Sequence, residues 1–193
     1  MQHINFSTLA LLSALWILSG CSGGLLPSIK QTVKSPWQSF EDAKKSYDKI
    51  IPHQSTIDDL KRLGFDPFET PNVKLVTYLD LMQRFMPNQS ITFKDLDPGI
   101  QTCLRAREAC QGYEVTPKIT NSKRYGNVLL DLLNFRRKTV TLGWRFFALI
   151  ILNDNLVVHK IWGGEPGISE FEDKKNPLGP FQNMGEVLST PFK

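Results

Sequence analysis

The chain has 193 residues, of which 41% are hydrophobic and 10% aromatic, and its formal net charge is +4. This composition excludes an intrinsically disordered chain and a fibrous one. The length suits one domain with tails and allows a sizeable buried core.

The N-terminus carries an apolar stretch over residues 8–18. A membrane-spanning helix needs roughly 20 apolar residues, so this stretch has the length of a signal peptide instead. Leu18-Ser19-Gly20-Cys21 looks like a bacterial lipobox, which predicts that residues 1–20 are a lipoprotein signal peptide and that Cys21 is lipidated. Ser22 stands where an Asp would retain such a lipoprotein at the inner membrane. We therefore expect a lipid-anchored protein at the outer membrane, facing the periplasm; the alternative is a buried N-terminal helix with a chance cysteine.

The segment after the anchor predicts a spacer and then a helix. Residues 21–34 indicate a flexible linker. Ser35 and Pro36 favour a helix start, because Pro is preferred at the first helical position. Pro52 ends this helix. Its predicted apolar stripe recurs every three or four residues and consists of Trp37, Phe40, Ala43, Tyr47 and Ile50.

Three further helices are expected before the middle of the chain. Ser55 or Thr56 caps a short helix that ends at Gly64. Residues 73–86 fit either a strand or a helix, and we favour a helix for most of them. A helix is also predicted near residues 98–108.

From Gly112 onward the apolar period changes, and a strand of about eight residues is expected. Residues 125–134 predict a short amphipathic helix. A long strand follows, in which alternate residues share an apolar face: Val140, Leu142, Trp144, Phe146, Ala148, Ile150 and Leu152. Asn153-Asp154-Asn155 is typical of a hairpin turn. The chain is expected to return as a strand over residues 156–162.

The end of the long strand, residues 146–152, is apolar on both faces and needs cover on both. We expect helices of the same chain to supply it, with residues 125–134 as a lid, although a partner could cover one face. Residues 163–193 hold 5 Gly and 4 Pro. We therefore expect a C-terminal arm without long regular elements.

The chain has three cysteines, and the lipid uses Cys21. Cys103 and Cys110 remain as a pair in an oxidising compartment, so we expect a disulfide. Seven residues of continuous helix rise about 10.5 Å, whereas a disulfide needs Cα atoms within about 7 Å. The helix must therefore end between Ala106 and Ala109. The alternative is a pair of reduced, buried thiols.

The basic residues concentrate in the middle of the chain. Residues 101–145 hold nine basic and three acidic side chains. Beside a bilayer, this charge favours anionic lipid headgroups or an acidic partner surface. The alternative is a solvated face without a partner. Nucleic acid is not expected in the periplasm.

The order of helix, helix and three strands behind a lipidated cysteine resembles the SmpA/OmlA-type (BamE-like) outer-membrane lipoproteins. The residues that match the motif of that family are Thr56, Leu60, Leu63, Gly64 and Pro67. The resemblance implies an α+β fold over residues 35–162, with helices packed on a small three-stranded antiparallel sheet and with insertions. It also implies a scaffold role in assembly and contact with anionic lipid. The same unit recurs in secreted inhibitors of β-lactamase, so a periplasmic inhibitor or ligand-binding module is the alternative.

No catalytic or metal-binding motif stands out. After cleavage only His53 and His159 remain, and neither has the spacing of a metal site. We interpret both as surface or structural residues, and we expect a non-enzymatic protein with no metal and no cofactor other than the lipid at Cys21.

We expect this lipoprotein to act as a protein-binding scaffold in envelope or outer-membrane protein assembly. Aromatic side chains and Arg most often dominate protein interfaces. The predicted surface for envelope proteins or lipid therefore combines Arg136, Arg137, Lys138, Trp144 and Phe147.

Overall fold

The computed structural model describes residues 26–32 and 35–181. The leader, the predicted lipidation site Cys21 and the end of the C-terminal arm lie outside the described residues. Within them, no helix has the length and apolar character needed to cross a bilayer.

The described residues form strands and helices in mixed order. They are β1 (Ser28–Thr32), α1 (Phe40–Asp48), α2 (Ile57–Arg62), β2 (Val73–Thr77), α3 (Tyr78–Phe85), α4 (Pro98–Ala106), β3 (Cys110–Val115), β4 (Lys118–Tyr125), α5 (Val128–Leu132), β5 (Arg136–Asn153) and β6 (Leu156–Lys175). Short 3-10 turns lie between these elements at Phe93–Asp95 and Arg107–Ala109 and after β6 at Gly179–Phe181.

The strands form one six-stranded sheet in the order β1-β4-β5-β3-β2, with β6 paired to β5. Strands β2 and β3 are antiparallel, with Val73 opposite Val115. Strands β3 and β5 are also antiparallel, with Cys110 opposite Asn153. The predicted three-stranded, BamE-like architecture is therefore wrong.

The sequence predicts too few strands because three segments contain strands that their local patterns do not indicate. Strand β1 lies inside the predicted linker, and β2 is the first part of the segment 73–86 that was assigned mostly to a helix. The single strand expected after Gly112 is two strands, β3 and β4, with Pro117 between them. Because Pro lacks an N–H group, it interrupts the pairing pattern of a strand.

The chain divides into two compact units. The described part of the small unit comprises residues 26–29, 122–140 and 171–181. The described part of the main unit comprises residues 30–32, 35–121 and 141–170. This division cuts across the predicted body at residues 35–162.

One face of β5 builds the first core of the main unit. Its residues Phe146, Ala148, Ile150 and Leu152 have no exposed surface and pack with residues of α1 and α2. The Phe146 ring lies 5.5 Å from that of Phe40 and 6.1 Å from that of Tyr47, measured between centroids. Edge-to-face contacts of this kind add to the burial of apolar area.

The opposite face of β5 builds the second core of the main unit. Leu149 and Ile151 are fully buried there, together with Leu81 of α3 and Leu104 of α4. The doubly apolar strand is thus covered on both faces within the chain, as expected. The cover on this face comes from α3 and α4, and the expected lid, residues 125–134, is not part of this cluster.

The first helix starts later than its Ser-Pro signal predicts. Helix α1 begins at Phe40, where the Ser39 side chain accepts a hydrogen bond from the Asp42 N–H. The hydroxyl of Ser35 instead accepts the N–H of Trp37 in a local turn at 3.2 Å. A serine can cap a turn as readily as a helix, so the earlier signal was ambiguous.

The second helix ends and begins where the sequence predicts. Thr56 caps α2 in a capping box with Asp59. Gly64 follows the helix with a φ of 91°, a conformation that favours glycine.

The C-terminal arm contains more regular structure than expected. Strand β6 continues to Lys175, so the prediction of no long regular element after residue 162 is wrong for residues 163–175. Gly164 has a φ of 140°, and a Cβ there would lie 2.3 Å from the Arg145 carbonyl oxygen. Gly164 therefore permits a close approach of the strands instead of ending β6.

Cys103 and Cys110 form a disulfide with a Cα–Cα distance of 4.8 Å. Helix α4 ends at Ala106, and Arg107 has a φ of 53°. The helix therefore ends within the predicted range, and the chain turns so that the two cysteines meet.

We expect the double replacement of Cys103 and Cys110 by alanine to lower the free energy of unfolding by about 2.5 kcal/mol, the loop-closure entropy of so short a loop. Urea denaturation of the wild-type and double-variant proteins measures this difference. An unchanged midpoint and slope would show that the disulfide does not constrain the unfolded chain.

Candidate functional site

The two histidines hold loops against β6 in the main unit. His159 Nδ1 lies 3.0 Å from Asp97 Oδ1, and that carboxylate also accepts the Gly99 N–H at the start of α4. The backbone N–H of His53 donates to the Val157 carbonyl at 2.7 Å. Among the described residues, no group of three or more His, Cys, Asp or Glu side chains could hold a metal ion.

The two aromatic residues of the predicted interface do not lie together on one surface. Trp144 is only 8% exposed and belongs to the first core, where its indole N–H donates to the Gln38 carbonyl at 3.2 Å. Phe147 is partly buried against the second core, on the other face of β5. Neither residue is a free anchor for a partner.

The predicted basic run lies in the small unit, and each residue has a neighbour there. Arg136 makes two hydrogen bonds to Asp173, at 2.8 and 2.5 Å. This pairing raises the pKa of Arg136 and lowers the pKa of Asp173. The Lys138 ammonium lies 5.9 Å from the centroid of the Tyr125 ring.

Arg137 belongs to a second charged group of the small unit. Its Nε lies 3.7 Å from Asp131 Oδ1, and Arg124 donates to the same oxygen at 3.2 Å. Asp131 is 5% exposed and is the one buried residue of α5. The expectation that the leucines of residues 125–134 face a core is therefore wrong, because this helix buries its carboxylate instead.

Strand β2 forms the wall of an apolar hollow in the main unit. The hollow has a volume of about 400 Å³ and is lined by Leu75, Val76, Thr77, Tyr78, Leu79, Glu108, Cys110 and Gln111. We call it the β2 groove. Leu75 is 42% exposed and Leu79 is 59% exposed, so both present apolar surface to solvent.

The geometry of the β2 groove is fixed by local bonds. Thr77 caps α3 in a capping box with Asp80, and the hydrogen bonds from the Thr77 hydroxyl and N–H lower the pKa of that carboxyl. Cys110 is held by its disulfide. Strand β2 stands at the end of the strand order, and of the described strands only β3 pairs with it. The groove thus runs beside an edge strand.

A buried tyrosine contacts a lysine in the first core. The Lys160 ammonium lies 4.3 Å from the centroid of the Tyr47 ring and donates to the Tyr47 carbonyl at 3.0 Å. Burial, with a smaller contribution from Asp48, raises the pKa of Tyr47 to about 12. Burial also lowers the pKa of Lys160.

We expect the free energy of unfolding to fall as the pH rises from 10 to 12. An unfolded tyrosine ionises near pH 10, whereas the folded Tyr47 keeps its proton up to about pH 12, so alkali favours the unfolded state. Lys160 acts in the opposite direction at lower pH. Urea denaturation across this range should show a decline that is smaller in the Tyr47→Phe variant, in which burial still raises the pKa of Tyr113; an equal decline in both proteins would contradict the assignment.

The exposed leucines of β2, α3 and α5 were missed by sequence reasoning. Leu75 and Leu79 belong to the segment 73–86, for which the sequence pattern indicates only a strand or a helix. The signal that could have revealed α5 was Asp131 within a run of leucines. Because several arginines lie near Asp131 in the sequence, this carboxylate indicates that the polar side of the helix can be buried in ion pairs.

Comparisons with protein-family models, with curated proteins and with solved structures found no match for this chain.

Proposed function

We propose that this chain is a lipid-anchored, non-enzymatic outer-membrane lipoprotein that binds protein partners during envelope or outer-membrane protein assembly. The observation that carries the protein-binding part is the β2 groove, an apolar hollow of about 400 Å³ beside an edge strand. The lipobox that ends at Cys21 supports the anchor.

The partner best suited to the β2 groove is an extended protein segment with apolar side chains. The free edge of a strand presents N–H and C=O groups that can pair with an added strand. Leu75 and Leu79 beside that edge offer apolar surface that such side chains would remove from water. Main-chain pairing would supply affinity, and the hollow would supply specificity.

A lipid anchor suits this role because it confines the groove to the layer in which outer-membrane proteins assemble. Tethering raises the effective concentration of a binding site without any new contact. The helix-helix-sheet unit implied both the assembly role and the inhibitor alternative, and the six-stranded sheet does not match it. The proposal therefore depends on the lipobox and on the β2 groove.

Site-specific photo-cross-linking in living cells tests the proposal. A photoreactive phenylalanine derivative is placed at Leu79 of the full-length, lipidated protein, and the control has it at Phe68. Phe68 is 80% exposed in the same unit and does not line the groove. We expect a discrete adduct with an envelope protein from position 79 and none from position 68.

A second variant makes this experiment decisive. Adding Leu75→Asp to the position-79 protein places a charge in the groove and should abolish the adduct while the protein remains folded by circular dichroism. An adduct that survives Leu75→Asp, or identical adducts from positions 68 and 79, would contradict the β2 groove as the binding site.

A further inference from the structure

Helix α5 of the small unit exposes its apolar side and buries its polar side. Its carboxylate residue Asp131 is 5% exposed, whereas Leu129 is 66% and Leu132 is 78% exposed. The neighbouring Leu130 and Leu133 are 41% and 49% exposed. We call these four leucines the leucine patch. Clustered apolar surface of this kind marks an interaction site in a soluble domain.

The orientation of α5 is fixed by charged and polar partners. Arg124 and Arg137 both face Asp131 Oδ1, and the Asn127 side chain caps the helix by accepting the Leu129 and Leu130 N–H groups. Turning the leucines inward would separate a buried carboxylate from these arginines, which is costly. The leucine patch therefore cannot be hidden by a simple rotation of the helix.

Aromatic residues that follow the helix in the small unit also expose apolar surface. Phe135 is 39% exposed, and its N–H donates to the Leu130 carbonyl at 2.9 Å. Gly179 packs against the Phe135 ring, and the nearby Phe181 is 66% exposed. Aromatic and aliphatic side chains of this kind occupy the boundary between headgroups and acyl chains when a surface lies on a bilayer.

The charge of the small unit complements an anionic surface. Its described residues carry seven basic and three acidic side chains, a net charge of +4. The acidic side chains include Asp131 and Asp173, which are already paired with arginines. Lys123, Lys174 and Lys175 are exposed. A basic surface is attracted to anionic lipid by about 1 kcal/mol per Lys or Arg near the bilayer.

The predicted anchor reaches the same unit. Strand β1 begins at Ser28, within the small unit, and only residues 22–27 separate it from Cys21. A chain extends by at most ~3.6 Å per residue, so Ser28 can lie no more than about 25 Å from the lipid-bearing cysteine. A lipid at Cys21 thus keeps the small unit close to the leaflet.

From these observations we infer that the leucine patch docks onto the phospholipid leaflet that carries the anchor, with the basic residues of the small unit on anionic headgroups. The closeness of the small unit to the leaflet rests on the proposed lipidation of Cys21. Binding of lipid by the leucine patch does not require the acyl chains. Docking would add a contact between the folded domain and the leaflet to the attachment through the acyl chains at Cys21.

Vesicle sedimentation tests this inference on the chain from Ser22 to Lys193, which lacks leader and lipid but keeps every described residue. The probes are vesicles of phosphatidylethanolamine and phosphatidylglycerol at roughly 3:1, an anionic surface, and vesicles of phosphatidylcholine. We expect the chain to bind the anionic vesicles and to bind them less well when NaCl rises from about 0.1 M to about 0.5 M.

Matched substitutions distinguish binding by the leucine patch from non-specific adsorption through other exposed apolar residues. Leu132→Asp should lower the partition coefficient at least about tenfold, because it removes a leucine that docking would bury in the bilayer and adds a negative charge. Phe68→Asp, at an equally exposed apolar position of the main unit, should leave it unchanged. Unaltered circular dichroism spectra show that both variants fold.

Three results would overturn the inference. The first is a wild-type chain that stays in the supernatant with anionic vesicles. The second is an equal effect of the Leu132 and Phe68 substitutions. The third is a dimer in solution that Leu132→Asp dissociates, since the leucine patch would then be covered by a second copy. The experiment contains no lipidated protein and no partner, so none of these results bears on the anchor or on the β2 groove.

Discussion

The Phe146→Ala variant is expected to lose about 4 kcal/mol of unfolding free energy, the usual cost of deleting a buried aromatic ring. Phe146 has no exposed surface and lies at the centre of the first core. Its ring centroid is 6.2 Å from that of Trp162, and the rings of Phe40 and Tyr47 contact its other sides. The substitution would leave a cavity between α1 and β6. Because both elements contact the ring, a shift of only one of them would not fill that cavity.

Urea denaturation of the chain from Ser22 to Lys193 measures this loss, and Phe68→Ala is the matched control. Phe68 is 80% exposed, so its replacement should change the unfolding free energy by less than about 0.5 kcal/mol. Similar losses for the two variants would mean that Phe146 is not at the centre of a packed core.

The Gly143→Ala variant is expected to be destabilised by about 3 kcal/mol, at the upper end of overpacking effects. A Cβ at position 143 would lie 2.2 Å from the Ile119 carbonyl oxygen and 2.9 Å from the Thr120 Cα. These are backbone atoms of β4, so no side-chain rotation relieves the contact. Strands β4 and β5 would have to separate at this position.

Gly163→Ala is the control for this substitution, because a Cβ at position 163 meets no atom within 4 Å. It should leave the thermal midpoint nearly unchanged, whereas Gly143→Ala should lower it by about 6–12 °C for a chain of this size. If Gly143→Ala has the midpoint of the wild-type protein, strands β4 and β5 do not approach as closely as described.

The long strand β5 was predictable because its signal is local. Alternation of apolar residues from Val140 to Leu152 identifies a strand, and apolar residues on both faces at its end indicate two covered sides. The two cores confirm this interpretation. The sequence does not predict which helices cover these two faces. Every amphipathic segment has an apolar face, and local patterns do not indicate which segments pack together.

The number and length of the strands were underestimated because glycine is found both in loops and at positions where two strands approach closely. Gly163, Gly164 and Gly167 indicate a loop in most sequences. In this chain they lie inside β6, and Gly164 allows the backbone to approach Arg145 closely. Strand β1 was missed for another reason: five residues after a Gly-Gly-Leu-Leu-Pro segment carry too short a pattern to identify a strand.

The candidate surfaces were the least predictable feature. Trp144 and Phe147 are three positions apart on a strand, so they face opposite sides, and both faces are covered by helices. The side chains of the basic run are half-buried, and their ion-pair partners are separated from them in sequence: Asp131 is 6 positions from Arg137, and Asp173 is 37 positions from Arg136. Long-range ion pairs of this kind leave no local pattern.

Intact-mass spectrometry of the protein purified from bacterial membranes tests the central claim most directly. We expect a polypeptide that begins at Cys21 and carries a thioether-linked diacylglyceryl group, so that the anchor lies within seven residues of β1. A mature protein with a free thiol at Cys21, or one that keeps residues 1–20, would contradict the lipid anchor.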